Sequence, residues 1–167
     1  MKIACRFGAY IAMLSANGFT VKGFDISKGA VELTQHLLKD INSNLDQYIV
    51  SSITQIQFPD QSFDAAVAHA VIDHLTINDA FKAVDELCRI VNDGGLVYLS
   101  FDRMEEDDMN LEQTTLEDGS FLYSDPSRSG LLFRYYSDSD IYKLLRDKKI
   151  IYFHTRKNGE REVIIQR

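Results

Sequence analysis

Three short stretches of the chain carry residue types that can do chemistry. Asp25 closes the apolar run from Phe19 to Phe24, seventeen residues after Gly8. A carboxylate there can accept hydrogen bonds from two neighbouring hydroxyls, and an Asp before a helix also serves simply to favour the helix N-terminus. His69 ends a second apolar run, Ala65-Ala66-Val67-Ala68, and Asp73-His74 follows it. An acid beside an imidazole is the pairing that moves protons, and it is also what an exposed helix edge carries. The two cysteines, Cys5 and Cys88, have no paired spacing, so two buried thiols are expected rather than a disulfide framework or a metal site.

These side chains need elements to hold them. Short apolar segments alternate with amphipathic ones along the chain, the rhythm of βαβ units around a parallel sheet. The reading gives a strand ending at Ile3 to Cys5, a helix from Ala9 that stops at Asn17-Gly18, and a strand from Phe19 to Phe24. A helix capped by Ser27 follows, with Val31, Leu33, Leu37, Leu38 and Ile41 near helical spacing, then a short strand at Tyr48 to Val50. Phe63 to Ala68 has the small and β-branched residues of a central strand buried on both faces. Asn78 is expected to cap the next helix, Asp93-Gly94-Gly95 to turn, and Leu96 to Phe101 to form a fifth strand. Ser137 caps a last helix through Asp147, and Asn158-Gly159 sits between two apolar runs as a hairpin turn. The fold class expected is α/β: a Rossmann-like, doubly wound, mostly parallel sheet of about seven strands ending in an antiparallel hairpin. One domain is expected over 1–167, with 102–136 as an irregular cap in which two apolar triplets, Phe121-Leu122-Tyr123 and Leu131-Leu132-Phe133, make a hairpin flap.

Composition narrows the classes. A chain of 167 residues that is 45% hydrophobic and 26% charged can build its own core without staples. The net charge of -7 disfavours a dedicated nucleic-acid binder, which needs a surplus of Lys and Arg on one face. No apolar run approaches the ~18 residues of a membrane span and no secretory leader is visible, so no membrane partner and a cytoplasmic location are expected. Charge is uneven: residues 128–167 hold 10 Lys and Arg against 5 Asp and Glu, and residues 1–127 hold 8 against 20. A basic quarter suits an acidic substrate or partner, and equally a solvated helix and hairpin. The acidic run Glu105 to Asp108 reads as an exposed loop.

The ordered series Phe58-Pro59-Asp60-Gln61-Ser62-Phe63-Asp64, then His69 and Val71-Ile72-Asp73-His74-Leu75, then Ala83-Val84-Asp85-Glu86-Leu87-Cys88-Arg89-Ile90-Val91 and Gly94-Gly95, resembles the class I S-adenosylmethionine-dependent methyltransferases of the small-molecule type. The likeness runs from residue 3 to about 101, with a looser match in the last helix and hairpin. It implies S-adenosyl-L-methionine as cofactor and a small-molecule acceptor. It also implies a glycine-rich turn after the first strand, of the form D-x-G-x-G-x-G, where backbone approaches cofactor. Here that register reads Lys2, Ala4, Arg6 and Gly8, so only the last glycine is kept. Lys2 and Arg6 bring positive charge toward a cationic cofactor. The family ordinarily has helices before the first strand, and without them a more open cleft is expected.

By the same resemblance Asp25 receives the ribose hydroxyls, Ile26 flanks the adenine, and Ser52 followed by Ile53 takes the place of the usual acidic residue facing the adenine amino group. His69 stands at the mouth of the sheet. Asp73, His74 and Tyr136 border the acceptor, and Tyr10, Phe121, Tyr123, Phe133, Tyr135 and Tyr136 supply an aromatic lid or a satellite core. No catalytic residue is singled out, because in-line displacement on an electron-poor methyl is driven chiefly by alignment and exclusion of water. Three functions are weighed: a methyltransferase, a catalytically inactive relative that acts as a binding or interaction module, and a nicotinamide-dinucleotide domain. The last is opposed by the absent Gly-x-Gly-x-x-Gly turn and by the terminal hairpin.

Overall fold

A computed structural model describes residues 2–3, 9–38, 48–103 and 105–167. Gly8, Cys5 and the turn residues Ala4 and Arg6 lie outside the described residues, as does the expected end of the second helix at Ile41. The centre is a pair of parallel strands, β4 (Phe63–His69) and β5 (Val91–Phe101), with Ala66 beside Val97 and Ala68 beside Leu99. All four side chains are fully buried, which is why β4 carries alanines: helix α3 (Ile77–Ile90) lays Ala80, Ala83, Val84, Leu87 and Ile90 into the same core.

Around that pair, β1 (Lys2–Ile3) runs parallel to β4 on one side. On the other, β10 (Arg161–Gln166) runs antiparallel to β5, and β9 (Lys149–Thr155) runs antiparallel to β10. The order is β1-β4-β5-β10-β9, so β9 is an edge strand, with Ile151 and Tyr152 exposed along it. β2 (Gly23–Asp25) and β3 (Tyr48–Val50) form a separate parallel pair, with β2 lying alongside β1. The architecture is α/β and Rossmann-like. Among the described residues the strands pair as a ladder of five, in which β10 and β9 run antiparallel to their neighbours, and a parallel ladder of two.

Helix α1 (Ala9–Ala16) stops where expected, with Gly18 at φ +84 just beyond it. Ser27 caps α2 (Lys28–Leu38) by accepting from the Ala30 N–H at 3.3 Å. The second strand is shorter than the apolar run around it, since only Gly23–Asp25 pairs. Two further expectations are corrected. Thr76, not Asn78, caps α3: its backbone is extended and its hydroxyl accepts from the Asp79 N–H at 3.3 Å. Asp93-Gly94-Gly95 does not turn the chain but lies inside β5, where the register with β4 shifts. Gly94 has φ +78 and donates to the Arg167 carbonyl at 3.0 Å, so the glycines make a bulge that the C-terminal residue closes.

The segment between β5 and the last helix is more ordered than an irregular cap. A one-turn helix α4 (Glu106–Met109) precedes three antiparallel strands, β6 (Gln113–Thr115), β7 (Phe121–Tyr123) and β8 (Leu132–Phe133). Its acidic run is partly engaged, because Asp108 pairs with Arg128 at 2.6 Å. Ser137 then caps α5 (Asp138–Leu144) through a capping box with Asp140. No helix among the described residues is long and apolar enough to cross a membrane.

Candidate functional site

The candidate side chains lie along the edge where β2, β4 and β5 end, the rim at which open α/β sheets receive ligands. What holds that rim is a clamp behind it. Arg89 of α3 donates to the carbonyls of Phe58 at 3.0 Å and Ile56 at 2.9 Å, and to the carboxylates of Asp60 at 2.6 Å and Glu86 at 2.6 Å. Glu86 in turn accepts the Ile56 N–H at 2.7 Å. These bonds push the Arg89 pKa up and hold the Glu86 carboxyl below its ordinary range, so both stay charged. The chain between β3 and β4 is thereby fastened to α3, which fixes where β4 starts.

At the end of β2, Asp25 Oδ1 accepts the Ser27 N–H at 2.8 Å. Nothing among the described residues bonds Oδ2. Ile26 beside it is 75% exposed, an apolar side chain with no core to join. Beyond β3, the Ser52 hydroxyl is taken up locally by Thr54, 2.8 Å from its hydroxyl and 3.2 Å from its N–H. Ile53, 8% exposed, belongs to the main core.

At the end of β4, the His69 ring lies 6.5 Å from that of Tyr98. Ala70 follows with φ +50, a conformation that costs a residue with a Cβ about 1–2 kcal/mol, and its N–H donates to the Ser100 hydroxyl at 2.9 Å. A serine one residue from the end of β5 carries no signal in the sequence, yet Ser100 anchors this bend. The bend leads into a short 3-10 turn, Ile72–His74, that presents Asp73 and His74 in opposite ways. Asp73 is fully buried: Oδ2 accepts the Asp102 N–H at 3.0 Å, and Oδ1 has no partner among the described residues. Burial drives its pKa well above the ordinary carboxylate value, against the lowering effect of the Asp102 N–H. His74 is exposed, and its Nδ1 lies 2.9 Å from the Leu132 carbonyl. A carbonyl only accepts, so Nδ1 is the donor in this contact and Nε2 is the ring nitrogen left to face a ligand.

The strands β6 to β8 dock onto this turn. The Arg134 N–H donates to the Asp73 carbonyl at 2.7 Å, its guanidinium to the Asp118 carbonyl, and Asp118 Oδ2 accepts the Ile77 N–H at 2.8 Å. Tyr136, fully buried, has its ring tilted against that of Phe101 at 5.1 Å, with the Arg134 guanidinium 5.4 Å over its ring and a hydroxyl that has no partner among the described residues. Burial raises its pKa, and Asp73 is near enough to raise it further. Asp73 and Tyr136 are thus brought together beneath the flap, while Asp25 and Ile26 stand apart at the end of β2. Of the expected aromatic lid, Tyr123 and Phe133 are buried within the flap and Tyr135 is exposed.

Residues 1–99 match the methyltransferase domain family. The chain belongs to the S-adenosylmethionine-dependent methyltransferases. A curated relative, the tRNA (carboxymethyluridine(34)-5-O)-methyltransferase of Arabidopsis thaliana, is 30% identical over 48% of this chain, and the match takes up 20% of that protein. Among solved structures, a protein of Pyrococcus horikoshii superposes with a TM-score of 0.84 at 18% identity, covering 99% of this chain and 79% of its own. A S-adenosylmethionine-dependent methyltransferase from Methanosarcina mazei gives 0.77 at 22% identity, over 99% and 90% respectively. At those identities the structures share the methyltransferase fold. S-adenosyl-L-methionine is the cofactor of this methyltransferase family, and the last strands β9 and β10 complete the fold beyond the matched residues.

Proposed function

We propose that this methyltransferase passes the methyl group of S-adenosylmethionine to a small-molecule acceptor held beneath β6 to β8. The observation that carries the reading is the Asp25 carboxylate. One oxygen is pinned by the Ser27 N–H and the other has no partner among the described residues, at a strand end beside an exposed isoleucine. Such a group fits the hydroxyls of a ribose, with Ile26 against the base. Gly8 would let the backbone approach the amino-acid end of the cofactor, Ser52 would accept from the adenine amino group through its remaining lone pair, and Ile53 would back that pocket from the core. The bound cofactor supplies a methyl carbon made electrophilic by its sulfonium.

The protein's part is alignment and exclusion of water. His69 and the strained Ala70 line the mouth, and the flap covers it. His74 Nε2 is available to take a proton from an acceptor, while Asp73 and Tyr136 form the buried floor on which the flap rests. The Arabidopsis relative is named for a tRNA uridine. A net charge of -7 favours a small acceptor over tRNA here.

Thermal unfolding with S-adenosylhomocysteine tests the reading. A ligand at ~100 times its dissociation constant adds about 2.7 kcal/mol, a rise of several degrees in Tm. No rise would return the chain to an inactive module, consistent with Lys2 and Arg6 opposing a cationic ligand.

A further inference from the structure

A cavity of about 430 Å³ opens at the far end of β5 from the Gly94-Gly95 bulge, lined by Arg103, Met109, Tyr135, Thr155, Gly159 and Arg161. That volume suits a small ligand. Its place in the sheet is informative. Arg161 opens β10 opposite Phe101, and Arg103 lies two residues beyond Phe101, so the cavity sits on the same rim as His69. β2 lies beside β1, on the far side of β4, so Asp25 and the cavity flank β4 from opposite sides. Arg161 is also near enough to Asp73 to act on its charge, which ties the cavity to the turn after β4.

The two arginines differ in a useful way. Arg161 is built in: its side chain is 12% exposed, and it donates to Asp138 at 3.1 Å, to the Gly159 carbonyl at 2.9 Å and to the Tyr135 hydroxyl at 2.8 Å. Its guanidinium also lies 5.2 Å over the Tyr135 ring. Those bonds use three of its five N–H groups and leave two for a ligand. Arg103 is half exposed, its stem lies against Gly159 and its guanidinium pairs with Glu105 at 3.5 Å, so the guanidinium can swing onto whatever enters. Met109 and Tyr135 supply apolar surface between them. The surplus of Lys and Arg in residues 128–167, against an acidic remainder, biases the approach of an anion toward this end.

We propose that this cavity is the subsite for one end of the acceptor, whose reacting end lies beneath β6 to β8, and that the end it takes bears an oxyanion, carboxylate or phosphate, on a planar or apolar body. Arg161 is the fixed half of the anion clamp and Arg103 the mobile half, with Tyr135 and Met109 against the body of the ligand. The inference rests on the methyltransferase reading for the word acceptor and on the cavity alone for the anion.

The test is an NMR titration of the full chain, with and without S-adenosylhomocysteine, using benzoate, phenyl phosphate and neutral benzamide as probes. Charge-assisted hydrogen bonds should make at least one anion bind about 10-fold or more tightly than benzamide. Whichever of benzoate and phenyl phosphate binds tighter identifies the oxyanion. Arg103→Met, at an exposed position, should erase that preference while leaving the S-adenosylhomocysteine shift intact, and Arg161→Met should do the same. Benzamide binding as tightly as both anions, or an undiminished preference in folded Arg103→Met, would overturn the proposal. Anion binding without any S-adenosylhomocysteine response would instead overturn the methyltransferase reading and leave the anion site standing.

Discussion

Arg89 and Asp60, 29 residues apart in the chain, meet at 2.6 Å, and the same guanidinium holds the Ile56 and Phe58 carbonyls. The two stretches by which this family is most readily read, Phe58 to Asp64 and Ala83 to Val91, are therefore joined by a structural clamp. Arg89→Met leaves two carbonyls and Glu86 without their donor. A loss of about 2–3 kcal/mol is expected, a Tm lower by roughly 4–12 °C, whereas Asp60→Ala at its exposed end should cost under about 1 kcal/mol. Calorimetric melts of the two variants check the order.

Asp25 is expected to matter for ligand and not for folding. Asp25→Ala should weaken S-adenosylhomocysteine binding about 10-fold to 100-fold while the unliganded melt moves by less than about 1 kcal/mol. Isothermal titration reads the first and a thermal melt the second. Equal affinity in the variant would remove the ribose assignment.

Asp73 makes stability depend on pH. Its carboxyl is held well above the ordinary 3.8 by burial, so the folded chain keeps a proton that the unfolded chain has lost. The stability this confers is complete below 3.8 and fades as pH climbs toward the raised value. Asp73→Asn keeps an oxygen for the Asp102 N–H and cannot ionise. Melting both proteins from pH 4 upward should show wild type losing ground steadily to the variant. A widening wild-type advantage would contradict the assignment.

Gly95 has no room for a methyl group. A Cβ there would stand 2.5 Å from Val91 Cγ1 and 2.6 Å from the Asp64 carbonyl oxygen. Gly95→Ala should cost on the order of 2–3 kcal/mol, because β4 and β5 must part to accept it. Gly18→Ala, with open space but φ +84, should cost only about 1 kcal/mol. Denaturant titration of the pair distinguishes crowding from backbone strain.

The bulge at Gly94 also marks where sequence reading stops. Two glycines after an Asp announce an unusual φ, and that was legible. Whether the chain then reverses or merely kinks depends on Arg167, 73 residues later, which no local pattern contains. Thr76 and Asn78 are both capping residues, and packing of α3 against β5 decides between them. That Asp25 and His69 end strands is readable because strand ends can be counted along the chain. Ser52 and Ile53 were carried by register alone, and local bonding and the core take up much of what that register offered. Arg103 and Arg161 were not readable as a pair, since only the antiparallel return of β10 brings them to one rim. β6 was missed because Gln113-Thr114-Thr115 has no apolar face of its own.

The outer strand β9 has a consequence for how copies of this chain behave when crowded. Ile151 and Tyr152 would make it a template for a second copy, but Lys148 and Lys149 stand at one end and Arg156 and Lys157 at the other. A head-to-tail pairing of two such strands sets cation against cation at both extremities, partly offset where Asp85 holds Lys148 and Glu162 holds Arg156, and the ladder is disfavoured there. Positive ends around an apolar centre thus act as a guard against filament growth.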